Sequence, residues 1–187
     1  MQLTFKFIFH DIEQISLMLF MGQDGYHGST SDHLAVSFIK GYIVLTWNLG
    51  SGPRRIFTPH PVSYTGHLFH TVQIGRAGQR AWLIVDDQRN VTGKSPGKLT
   101  QLNARSILYL GGHESRNFSL LPHDLPLHTG FTGCLFDVEI RTGQMLIKVD
   151  KSQPIFSRGI SQCGTTMCNE NSCENGGGCI DHGATFT

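Results

Sequence analysis

Leu3, Phe5, Phe7 and Phe9 stand at every second position near the start of the chain, and this period of two limits what the chain can become. In an extended strand alternate side chains project to one face, so this run makes one face apolar and leaves the other polar. The pattern recurs. SLMLFMG marks a second strand, and Leu34, Val36 and Phe38 are followed by Ile43, Leu45 and Trp47 across Lys40-Gly41, a hairpin signature. Phe69, Val72 and Ile74 are answered across GRAGQ by Trp82, Ile84 and Val85, with Asp86-Asp87 in the next turn. SILYLGG and CLFDVEIRTG add two more strands, while the stretch from Gly112 to Gly130, with Pro122 and Pro126, reads as a long polar loop. No segment carries a sustained helical period with caps, so helix should be scarce. Strands every ~10 residues with turn signals between them predict an all-β, two-sheet antiparallel sandwich.

A length of 187 residues fits one large β domain plus a remnant, and 39% hydrophobic content is ample for its core. The net charge of +1 provides no global field to attract nucleic acid or an acidic membrane. No apolar run is long enough to span a bilayer as a helix, so membrane insertion is not expected. MQLTFKFIFHDIEQ lacks the basic region, apolar core and small-residue site of a secretory leader. Catalytic motifs such as H-E-x-x-H, G-x-S-x-G and the P-loop do not occur. Asp11, Asp24, Asp32, Asp86 and Asp87 fall at turns rather than as the facing pair a glycosidase needs. The histidines, among them His60, His67, His70, His113, His123 and His128, are scattered and mostly polar-flanked, which fits surface positions better than a metal site. An enzyme is not expected.

Cys134, Cys163, Cys168, Cys173 and Cys179 all lie in the last third of the chain. The last three stand in CNENSCENGGGC. A zinc site would pair C-x2-4-C with a second such pair, which does not follow. Dense cysteines among Asn, Gly and Ser fit a small disulfide-stapled extracellular repeat, which places the protein outside the cell. The odd count implies that at least one cysteine pairs beyond Thr187. The expected organisation is a β domain over 1–163, then a linker and truncated repeat over 164–187.

In this order, FKFIFHDIEQISLMLFMG, DHLAVSFIKGYIVLTWNLGSGP, HTVQIGRAGQRAWLIVDD, LTQLNARSILYLGG and TGCLFDVEI resemble a laminin G-like domain, and CENGGGC resembles the start of an EGF-like repeat. The first resemblance implies a jelly-roll sandwich with Cys134 joined to Cys163. The second implies Cys168 joined to Cys179, with Cys173 pairing beyond the chain. The laminin G-like resemblance further implies one Ca2+ at the sandwich rim, held by two side chains and two backbone carbonyls. The matching positions are the Asp32 side chain, the Leu49 and Gln101 carbonyls and the Asn103 side chain. All four offer the hard oxygen ligands calcium takes. Antiparallel pairing would also bring Asp32 and Leu49 together, since one opens and the other closes the two strands of the hairpin. The alternative to calcium is that Asp32 and Asn103 are ordinary turn residues. With Asn103 neutral, only one formal charge faces the ion, which implies weak affinity, on the order of 10⁻⁴ to 10⁻³ M.

Remaining coordination positions would suit an acidic sugar, and the resemblance implies a glycan such as that of α-dystroglycan, or an extracellular protein, as partner. Arg54, Arg55, His33 and Lys40 fall in or near the same hairpin and form the candidate partner-binding patch, because arginine forks match carboxylates. Asn90-Val-Thr and Asn117-Phe-Ser are N-glycosylation sequons in predicted turns or loops. The function expected is that of a secreted matrix or cell-surface recognition module with calcium-dependent binding. A calcium-independent interaction or spacer domain, and a small-ligand carrier of related fold, are the alternatives.

Overall fold

The computed structural model describes residues 1–23, 31–64, 68–104, 107–115, 118, 120–125, 129–149 and 154–160. The chain divides into two compact units, Met1–Asp150 and Lys151–Thr187. No α-helix occurs among the described residues, and no helix is long and apolar enough to cross a membrane.

Twelve strands are described: β1 (Gln2–Phe9), β2 (Ile15–Gly22), β3 (His33–Ile39), β4 (Tyr42–Asn48), β5 (Pro53–Phe57), β6 (His70–Ala77), β7 (Arg80–Val85), β8 (Val91–Lys94), β9 (Tyr109–Leu110), β10 (Thr129–Gly130), β11 (Gly133–Thr142) and β12 (Met145–Lys148). One sheet runs β12-β11-β1-β6-β7-β8 and the other β10-β2-β3-β4-β5, with β9 also on β2. Pairing is antiparallel except for the two-residue parallel contact of β10 with β2. The expected all-β sandwich of two antiparallel sheets is thus the fold.

Alternation sorts the core. Leu3, Phe5, Phe7 and Phe9 of β1 are buried with Val72 and Ile74 of β6 and with Val36, Phe38, Ile43, Leu45 and Trp47 from the facing sheet. Burying each large side chain contributes roughly 1.5–3 kcal/mol. Phe7 meets Phe38 and Phe131 edge-on, both with centroids 6.1 Å away, a favoured aromatic geometry. The β3–β4 turn forms at the expected Lys40-Gly41, with positive φ of 49° and 85°, the conformation that a two-residue hairpin turn requires.

Two readings of the sequence are corrected. Ala81, Leu83 and Val85 are the buried residues of β7, so Trp82 and Ile84 face outward. The segment read as a polar loop instead contributes Leu121 and Leu125, which pack on Leu17, Phe20 and Ala35 and cover the outer face of the second sheet.

A rim built around Asp32

At one end of the sandwich, β3 opens and β4 closes with His33 paired to Asn48. One further step of this register sets Asp32 opposite Leu49. Asn48 organises the turn that follows: its Oδ1 accepts the Gly50 N–H at 2.9 Å and the Gly52 N–H at 3.1 Å. Asp32 is almost fully buried, and its Oδ2 accepts the Asn103 N–H at 2.8 Å. That bond ties together segments 71 residues apart. Three of the four predicted ligand positions therefore converge here. Gln101 is exposed two residues before Asn103 on the same segment.

Arg76 ends the inward face of β6, paired with Ala81 across β7. Its Nη1 donates to Gly78 O at 2.6 Å and Thr100 O at 3.1 Å, which pins the segment leading to Asn103. Burial lowers the pKa of this guanidinium, and the negative charge of Asp32 acts in the opposite direction. No local sequence signal marks Arg76, because its role depends on where an inward-facing residue meets the end of the sheet.

The donor set can be tested against calcium. Asp32 provides a buried carboxylate whose Oδ1 makes no hydrogen bond among the described residues, and the Leu49 and Gln101 carbonyls likewise receive none. Hard oxygen donors with free lone pairs suit the ion. Arg76 opposes it electrostatically. Among the described residues no cluster of three His, Cys, Asp or Glu exists, so coordination here rests on one carboxylate, amide and carbonyl oxygens, and water.

The candidate basic patch does not gather as a unit. Arg54 lies exposed at the rim end of β5, paired with Trp47. Arg55 faces the opposite side, where its Nε donates to Thr46 Oγ1 at 3.4 Å and its Nη2 to Asp124 O. His33 is buried, with Nδ1 2.9 Å from Ser31 O and Nε2 facing Asp124 Oδ2 at 3.7 Å. Lys40 sits at the far end of β3 and pairs with Glu13 at 3.8 Å. Asn90 is exposed just before β8. Cys134 lies on β11, whereas Cys163, Cys168, Cys173, Cys179 and Asn117 fall outside the described residues.

A family model described as Laminin G domain matches residues 13–158. "Protein eyes shut" of Drosophila melanogaster is 50% identical, aligning with 100% of this chain and 9% of its own length. The Homo sapiens "Protein eyes shut homolog" is 34% identical over 94% of this chain and 6% of its own length, and Drosophila melanogaster "Neurexin 1" 30% identical over 95% and 9%. The chain thus spans less than a tenth of the length of these curated relatives. Among solved structures, "Mouse laminin alpha1 chain, domains LG4-5" superposes with a TM-score of 0.67 at 22% identity, covering 87% of this chain and 40% of that one, a likeness of fold.

Proposed function

The chain belongs to the laminin G domain family, and from that premise we propose that it is a non-enzymatic, extracellular recognition module whose Asp32 rim binds Ca2+ and, through it, an acidic glycan. What carries this reading is the 2.8 Å bond from the Asn103 backbone to Asp32, with Leu49 one register step beyond the last β3–β4 pair. Asp32 would supply the one carboxylate, Leu49 and Gln101 their carbonyl oxygens, and Asn103 its side-chain amide. Bound calcium would supply a positive centre with water-filled positions that a sugar carboxylate can enter. Arg54, exposed beside this rim, would add a cationic fork.

Calcium binding should raise the melting temperature, and Asp32→Ala should abolish that shift while Asn103→Ala reduces it. An unmutated domain whose melting temperature ignores millimolar calcium refutes the metal site. Glycan binding is tested with uronate-bearing oligosaccharides. Binding should vanish with EDTA and in Asp32→Ala, and weaken in Arg54→Ala with a flatter salt dependence. Binding that survives both EDTA and Asp32→Ala overturns the calcium-bridged mechanism.

The position of Arg76 favours a second reading. A cation built into the rim can balance Asp32 without metal, leaving a calcium-independent interaction domain. In that case Arg76→Gln destabilises the domain with or without calcium.

A further inference from the structure

We propose that Asn90 carries an N-linked glycan whose first N-acetylglucosamine stacks on the outward face of Trp82. The proposal shares only the extracellular setting with the reading above. Calcium binding plays no part in it.

A single rung crosses the outer face of the first sheet: Arg141 pairs with Gln2, Gln2 with Gly75, Gly75 with Trp82, and Trp82 with Thr92. Trp82 faces outward because its neighbours Ala81 and Leu83 point into the core at 1% and 0% exposure. Its indole folds across Gly75, where a Cβ would overlap Cε2, Nε1 and Cζ2. Any other residue at 75 would lift the ring off the sheet. The half-buried indole therefore rests one face on backbone and turns the other to solvent.

Asn90-Val91-Thr92 is a glycosylation sequon. The β7–β8 register ends at Leu83 with Val91. One further step sets the exposed Asn90 opposite Ile84 and diagonal to Trp82, at about 7–8 Å between backbones. Strand alternation puts Asn90 on the same face as Thr92. The indole leans over Gly75 of β6, so a sugar on Asn90 would meet its outer face by extending across β7.

The chemistry is complementary. Aromatic faces carry negative charge density and attract the C–H groups on the flat side of a pyranose. The acetamido group offers Nε1–H an acceptor. A free sugar would gain little from one such contact. A covalently held one is present at an effective concentration in the millimolar range, which makes the chain's own glycan the occupant. The sugar would cover this sheet face and leave partner recognition to other surfaces.

The test uses the chain produced in a secretory eukaryotic host. Glycopeptide mass spectrometry should find Asn90 occupied. Trp47 is fully buried, so acrylamide quenching of tryptophan fluorescence reads Trp82. Enzymatic removal of the glycan, and independently Asn90→Gln, should each increase quenching roughly twofold as the indole's outer face is uncovered. Asn117→Gln should leave it unchanged. Deglycosylation should also lower the melting temperature of the parent chain but not of Trp82→Ala. An unmodified Asn90, or quenching that does not respond to glycan removal, overturns the proposal.

Discussion

Asp86 turns the chain out of β7 with a φ of 51°, a left-handed conformation that aspartate tolerates better than most residues. Its Oδ1 accepts the Thr71 N–H at 2.8 Å, and its Oδ2 meets His70 Nδ1 at 2.7 Å in a buried site. Asp86→Ala removes both acceptors and should cost about 2–4 kcal/mol in denaturant unfolding, with Asp86→Asn, which keeps one acceptor, falling between. Arg76 has a different consequence. Because its charge opposes a cation beside Asp32, Arg76→Gln should tighten calcium binding roughly three- to tenfold by calorimetry, the effect of one partly screened charge. Unchanged affinity would remove Arg76 from the electrostatics of the rim. The pairing of Asp32 with Leu49 was legible in the sequence because antiparallel register is arithmetic. The approach of Asn103 was expected only through the family resemblance. The directions of His33 and Arg55 were not legible, since both answer to Asp124 on a segment far away in sequence.

At the scale of elements, the segment of residues 120–125 acts as a strap over the second sheet. Leu121 and Leu125 are its apolar anchors, and Leu121→Ala should cost about 2–5 kcal/mol. Backbone hydrogen exchange should rise first in β2 and β3 beneath it. Asp124 gives the strap a pH dependence. Burial by itself would raise its pKa, but the facing His33 imidazole and the charge of Arg55 outweigh burial and hold it below the ordinary carboxylate value. A depressed folded-state pKa contributes stability above the unfolded value of about 4, lost as pH falls through the folded one. Melting temperature should therefore drop on acidification in the parent chain and drop less in Asp124→Asn. Equal acid sensitivity in the two would rule out this role. The strap escaped the sequence reading because its leucines, an adjacent pair at 120 and 121 and a third at 125, stand among Pro, His and Asp without a period. β5 and β12 escaped for a related reason. They are short edge strands with mostly exposed residues, so neither face is strongly apolar. A strand buried on one side, such as β1, declares itself by alternation.

At the scale of the whole molecule, β1 lies in the middle of its sheet between β6 and β11. Deleting residues 1–9 would remove four core side chains and separate β11 from β6. No cooperative unfolding transition should remain by calorimetry. A folded, cooperative protein after this deletion would contradict the assigned topology. The same placement sets the order of events at the ribosome. Phe5, Phe7 and Phe9 are synthesised before both strands that flank them, and one of these, β11, comes more than a hundred residues later. At ordinary translation rates that wait is on the order of ten seconds. A nascent chain carrying the β1 edge unpaired for so long is a natural client for holding chaperones. Slowing elongation between β6 and β11 should therefore lower the yield of native protein more than slowing it anywhere after Thr142.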